Sequence, residues 1–254
     1  MPQPWDDPLA TLISELEHHP VNTNSFFLAF RDERLSPEAL RVFVEQYRYF
    51  CHHFVKVLEG LLYRTPLDQL GMRIELVKTL YSELGHGDPA HAHIALLDRF
   101  AAAVGLTETA LAGTHPLDST QSYLDTLARL FLDGDFLVAL GAELAVETTA
   151  ISEFRYLHPG LAKYQLFGEE TLTFFTLHLK EEPCHSDWLQ QAVRTTVRSP
   201  GEFERVAAGA RQTADAWHAF WLGLYEPVFG RAPATTSSDG AQPGAVHPAR
   251  TVRP

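Results

Sequence analysis

Residues 178–185 read HLKEEPCH, which sets His178, Glu182 and His185 at positions i, i+4 and i+7 of a helical run. On a period of 3.6 residues these side chains share one stripe. Two imidazoles and a carboxylate on one stripe are costly in a core and unnecessary on a surface, so the stripe calls for partners on other elements. Three stretches offer them. In LVKTLYSELGHGDPAHAHIALLDRF, Glu83 ends an apolar helical run, Gly85 to Pro89 breaks it, and His86, His91 and His93 follow. In FLVALGAELAVETTAISEF, Glu143 and Glu147 sit four apart in a run otherwise rich in Leu, Ala, Val and Phe. In YRYFCHHFVKVLEGLLY, His52 and Glu59 are seven apart and share a helix face.

An ionised carboxylate in a helical core requires a counter-charge, and several of them on separate apolar helices suggest a shared one. A divalent cation would supply it. Glu83, Glu147, Glu182, His178, His185 and one histidine from the 86–93 region make three carboxylates and three imidazoles. That set suffices for two metals bridged by carboxylate, and its mixed N/O character suits iron or manganese better than a closed structural zinc site. Taken singly, Glu147 reads as a solvated helix face and His86 as an exposed loop residue; the combination carries the metal reading. Phe54, Tyr81, Phe174, Phe175 and Trp188 are candidates for the walls of a substrate pocket, although as a stripe they are first of all core.

The elements that must position these residues are helical. Asp7-Pro8, Ser36-Pro37, Thr65-Pro66 and Ser199-Pro200 each offer an N-cap followed by proline at the first helical position, and Ser199 with Glu202 completes a capping box. Further helical periodicity covers about 89–104, 118–132 and 134–157, and the helix of the HLKEEPCH motif starts near 168. The expectation is an all-α array of eight to ten helices with short links. Pro183 lacks an amide and clashes with the carbonyl of Leu179, which predicts a kink or local unwinding beside the motif.

The chain has 254 residues and a formal net charge of −12, from 32 acidic and 20 basic residues. Without a basic cluster it is no candidate for nucleic-acid binding. No apolar run approaches the roughly 20 residues that span a bilayer, and MPQPWDDPLA lacks a basic leader and an apolar segment, so no membrane and a cytoplasmic location are expected. Two cysteines, Cys51 and Cys184, are too few for a disulfide framework. Residues 1–7 read as a flexible N-terminus, 8–229 as one domain, and 230–254, rich in Pro, Gly, Ala, Ser and Thr, as a disordered tail.

These motifs resemble the heme-oxygenase-like diiron oxidases and oxygenases, related in fold to heme oxygenase, the thiaminase-like proteins and pyrroloquinoline-quinone synthase. HLKEEPCH matches the family's H-x3-D-x2-H, with Glu182 where aspartate is usual. ELGHGDPAHAH resembles its glutamate, glycine turn and histidine. Glu147, about 30 residues before His178, fits its middle glutamate better than Glu143. The resemblance extends to about residue 229 and implies a heme-oxygenase-like bundle with a seven-helix core. It further implies two Fe(II) ions held by Glu83, His93, Glu147, His178, Glu182 and His185, the same residues forming the catalytic set, with O2 as co-substrate. The GDP segment, the histidine after it and the LLDRFAAAVGL helix favour His93, as in N-oxygenase-type members, over His86, as in decarboxylase-like ones. Glu59, Glu143 and His52 are supplementary candidates. In the family the HLKEEPCH helix tends to order only with metal bound.

The function so implied is oxidation of a small-molecule substrate, above all N-oxygenation of an amine or amino-acid-derived compound in natural product biosynthesis. Oxidative C–C or C–H cleavage is the alternative. An external electron donor and a homodimer are the expected partners. A metal-free thiaminase-like hydrolase or binding scaffold is the reading from another class; the hydrolase needs a nucleophilic cysteine, and neither Cys51 nor Cys184 sits where that family's motif would put it. Heme oxygenase would need a proximal histidine, such as His18 or His19, and a glycine-rich distal helix that is missing.

Overall fold

Ser36 and Ser199 act as the N-caps their sequences predict, accepting hydrogen bonds from the amides of Ala39 at 3.2 Å and Glu202 at 3.3 Å. Thr65 does not cap the helix after it: its hydroxyl donates to the Leu61 carbonyl at 2.8 Å, closing the preceding helix, and the next one starts only at Leu70. The computed structural model describes residues 5–233, except for the side chains of residues 182 and 183. Within them there are ten α-helices and no strand. They are α1 (Asp6–Glu17), α2 (Ser25–Asp32), α3 (Pro37–Arg64), α4 (Leu70–Glu83), α5 (His93–Ala103), α6 (Glu108–Ala112), α7 (Asp118–Ala128), α8 (Phe136–Ala162), α9 (Thr173–Thr196) and α10 (Pro200–Phe229). The all-α expectation is met.

Some boundaries differ from the expectation, each for a local reason. The flexible N-terminus expected over 1–7 already contains helix: α1 opens at Asp6, whose carboxylate pairs with Arg194 of α9 at 3.0 Å. Residues 1–4 and the tail from 234 onward lie outside the described residues. The stretch 89–104 divides into a single 3-10 turn, Pro89–His91, and α5. α9 runs as one element from Thr173 to Thr196, so the local unwinding expected at Pro183 is not found; the side chain of Glu182 lies outside the described residues.

α8 is the central helix, and its apolar face is nearly continuous: Leu137, Leu140, Leu144, Ala145, Phe154, Leu157 and Leu161 are all buried. It packs against α9 on one side and α10 on another. The α8–α10 crossing is close because glycines meet backbone there. A Cβ on Gly141 would collide with the carbonyl of Val206, and one on Gly209 with that of Val138. α3 closes the third side with Phe43, Tyr47, Phe50, Phe54, Leu58 and Leu61 turned inward. Among the described residues no helix is long and apolar enough to cross a membrane.

Candidate metal centre

Glu83 is the last residue of α4 and His93 the first of α5, ten residues on. The chain returns between them through three consecutive residues with positive φ, Gly85 (75°), His86 (55°) and Gly87 (91°). Only glycine adopts such angles without strain, and a Cβ on Gly85 would strike the Ala92 backbone, so the two glycines are what permit the tight return. The turn sets His93 Nδ1 3.0 Å from Glu83 Oε1. From the facing helix α9, His178 brings its ring to 4.4 Å from that of His93, centroid to centroid. One ligand atom each from Glu83, His93 and His178 lie within 4.8 Å of one another, all from buried residues or nearly so.

A second group lies beside the first. His185, one face-turn further along α9, sets Nδ1 3.0 Å from Glu147 Oε2 on α8. The Ser82 hydroxyl joins the groups: it donates to Glu181 Oε2 at 2.6 Å and lies 3.1 Å from His185 Nε2. Glu181 in turn places Oε2 3.5 Å from His93 Nε2. Glu143, one turn before Glu147, is fully buried with no hydrogen-bond partner on either oxygen.

The electrostatics follow from this crowding. His93 is raised to about 10: burial opposes the imidazolium, but Glu83 and Glu181 outweigh it. Glu181 falls to about 2, chiefly through its contact with His93. His178 is driven well down by burial and by the charge of His93. Its Nδ1–H donates to the Phe174 carbonyl at 2.6 Å, which fixes the tautomer that turns the Nε2 lone pair outward. Burial, then the neighbouring Glu147, push Glu143 upward, because two adjacent carboxyls cannot both ionise in a dry site without a cation. His185 is held up by Glu147 against the opposing effect of burial.

Whether a cation suits these residues can be judged from His93. Its ring nitrogens lie 3.0 Å from Glu83 Oε1 and 3.5 Å from Glu181 Oε2, so one buried imidazole is shared between two carboxylates. Imidazole nitrogens and carboxylate oxygens brought within 4.8 Å of one another from α4, α5 and α9 are what a metal requires. The unpartnered oxygens of Glu143 point the same way. Imidazole nitrogens with carboxylate oxygens form a set suited to iron.

The structure gathers Glu83, His93, Glu147, His178 and His185, with Glu143 adjacent; nothing is described of the Glu182 side chain. His52 and Glu59 do share a face, but it is the solvent face of α3, opposite Phe50 and Phe54, so they are removed from the site. His86 is also outside the Glu83–His93–His178 group, half-exposed and 3.4 Å from Glu181. Of the expected pocket walls, Phe54 and Phe174 line a cavity that also exposes Glu83, His93, Glu147 and His178. Phe175 instead packs on Phe100, Tyr81 is exposed with its hydroxyl on the His86 carbonyl, and Trp188 packs on His185. Cys51, contrary to expectation, does line the cavity, but burial, with Glu153 and Glu83 nearby, pushes its thiol well up and disfavours the nucleophilic thiolate.

Three contributors were not anticipated. Glu181 precedes the predicted Glu182 and is three residues from His178, so the tandem EE of HLKEEPCH was the available signal. Glu153, in the same apolar run as Glu147, was legible as a third core glutamate. Ser82, beside Glu83, carried no signal.

The chain is 25% identical over 217 residues to 4-chloro-allylglycine synthase of Streptantibioticus cattleyicolor, covering 85% of this chain and 82% of that one. It is 26% identical over 209 residues to 4-aminobenzoate synthase of Nitrosomonas europaea, covering 79% and 84%. A domain from Shewanella denitrificans with a heme oxygenase-like fold superposes with a TM-score of 0.63 at 15% identity, covering 93% of this chain and 96% of that one. Residues 41–218 match the model of the iron-containing redox enzymes, and the chain belongs to that family, on a heme oxygenase-like fold.

Proposed function

We propose that the protein is a non-heme diiron oxygenase that uses O2 to oxidise a small organic amine or amino-acid-derived compound in a biosynthetic pathway. The observation that carries this reading is the buried convergence of Glu83, His93 and His178, one ligand atom of each within 4.8 Å of the others, with Glu147 and His185 beside them. Glu83, His93 and His178 would hold one iron and Glu147 and His185 contribute to the second, with Glu182 as the further carboxylate the motif predicts. Two bound Fe(II) ions would supply the electrons and open coordination positions for reducing O2.

The chain's own residues prepare that chemistry. The Phe174 carbonyl orients His178, and the Phe154 and Phe174 rings, 4.3 and 4.2 Å from the His178 ring, shield it from water. Ser82 holds Glu181 and His185 in place from behind. Phe50, Phe54, Val55, Ile94 and Val146 give the cavity an apolar wall that admits an organic substrate and keeps solvent from the reacting atoms. An amine-bearing substrate is favoured because 4-aminobenzoate and 4-chloro-allylglycine, the products named for the two relatives, both carry an amine, and because Glu83, Glu147 and Glu153 line the cavity.

The test is anaerobic Fe(II) loading followed by O2. About two irons per chain and O2 uptake coupled to oxidation of an amine are expected. Failure to bind iron specifically would end the diiron reading, whereas iron uptake with oxidation confined to carbon would select the cleavage alternative.

A further inference from the structure

One carboxyl in the cavity belongs to neither metal group. Glu153, six residues beyond Glu147 on α8, is buried and lines the same cavity as Glu83, His93 and His178. Two neutral donors hold it: the Tyr47 hydroxyl from α3 and the Trp217 indole N–H from α10. Cys51 and Tyr123 complete its polar surroundings, and both are pushed upward in pKa by burial and by Glu153, so neither offers it a positive charge. Among the described residues lining the cavity there is no lysine or arginine, and the one raised histidine, His93, is paired with Glu83 and Glu181 and not with Glu153.

From this geometry we infer that Glu153, oriented by Tyr47 and Trp217, is the carboxylate that receives the protonated nitrogen of the substrate. The inference rests on the amine reading above and assigns its recognition to a residue outside the metal groups. An acid inside an apolar wall, with neutral donors fixing its plane and no cation of its own, is the complement of an ammonium ion that arrives from solution. A purely structural acid would be expected to pair with an internal cation or to be replaced by an apolar residue without loss. The cavity's free space of about 60 Å³ holds a few water-sized groups, which fits a short alkyl chain at the nitrogen end.

In the empty protein Glu153 is held up at about 8, mainly by burial, so it carries a proton at neutral pH. Binding of an ammonium ion then sends that proton to solvent: R–NH3+ with the Glu153 carboxylic acid becomes R–NH3+ against the carboxylate, plus H+. No bond in the ligand changes and no redox partner is needed.

Calorimetric titration with n-butylamine at pH 7, in buffers of different ionisation enthalpy, tests this, with 1-butanol as the uncharged probe. Wild type should bind the amine and release close to one proton per amine bound. Glu153→Gln should bind it at least about tenfold more weakly and release none, while 1-butanol binding stays the same in both. Tyr47→Phe, which keeps the carboxylate, should lose only a few-fold, and this variant preserves the test should Glu153→Gln fail to fold. The titration is repeated on Fe(II)-loaded protein, in which the acids of the metal groups are occupied; amine binding should persist. Equal affinity in Glu153→Gln, no proton release, or loss of amine binding on iron loading would overturn the assignment. Iron uptake without amine binding would remove this inference alone, whereas absence of iron uptake would remove the function it rests on.

Discussion

Glu83 and Glu153 line one cavity but sit among different neighbours. Glu83 faces the imidazoles of His93 and His178, the nearer at 3.0 Å, and Glu181 and Glu147 crowd the same region. Glu153 has two well-placed neutral donors and no charged partner among the residues that hold it. The first arrangement is frustrated by its crowding of carboxylates around few positive groups, which a cation of fixed geometry would relieve. The second is satisfied as it stands, provided the carboxyl keeps its proton. On the proposed reading, burial has produced two kinds of acid within one pocket, one for a metal and the other for a group that comes and goes.

The sharpest way to break this comparison is to remove a residue from the frustrated side. Glu83→Ala and His178→Ala should each weaken iron binding by more than about 100-fold, read by anaerobic titration against a competing chelator, because each takes away one of three converging donor atoms. Glu153→Ala should leave iron affinity within a few-fold. A comparable loss in all three variants would mean that the two sides are one site.

A smaller effect should appear in the stability of the metal-free protein. Glu153 releases its proton near 4.5 when unfolded and near 8 when folded. Its folded pKa is raised, so its contribution is full below 4.5 and is lost as pH rises toward 8; the cost of ionising it in place is on the order of 5 kcal/mol. Urea unfolding at pH 5 and pH 8 should show wild type losing stability relative to Glu153→Gln across that interval. A difference between the two proteins that does not change with pH would show that Glu153 is not the group that holds the proton.

Ser82→Ala should act more gently, since Ser82 supports Glu181 and His185 without converging on the cluster. About tenfold weaker iron binding is expected, with the fold unchanged by circular dichroism. An effect as large as that of His178→Ala would mean that the Ser82 link, rather than the donor set, organises the centre.

How much of this was legible beforehand depended on whether a residue's role follows from its own helix or from a neighbour. Periodicity alone placed His178 and His185 on one stripe and Glu147 on an apolar helix, and the all-α fold followed from Ser36-Pro37, Ser199-Pro200 and the long apolar patterns between them. The same reasoning turned the face that His52 and Glu59 share toward the site, because a shared face says nothing of whether it turns toward the core or toward water; Phe50 and Phe54 had already taken the inner face of α3. Glu181 was passed over for Glu182 because the motif counts residues, whereas Glu181 meets His93, His86 and Ser82 across helices. Tyr47 and Trp217 belong to α3 and α10, and only their packing against α8 makes them partners of Glu153.

The smallest effect separates two histidines that the sequence offered to Glu83. His93 is almost fully buried with Nδ1 3.0 Å from Glu83, whereas His86 is half-exposed at the left-handed turn and reaches only Glu181. His93→Ala should therefore weaken iron binding as strongly as Glu83→Ala does. His86→Ala should change it no more than about twofold, because an exposed contact of 3.4 Å to Glu181 is worth little in water. Removing the His86 side chain also leaves a residue that tolerates φ of 55° poorly, so the comparison is best made with His86→Gly, which relaxes the turn while deleting the imidazole. If His86→Gly abolishes iron binding while His93→Ala does not, the turn moves His86 onto the metal, and the Glu83–His93 pairing on which the centre has been built must be replaced by Glu83–His86.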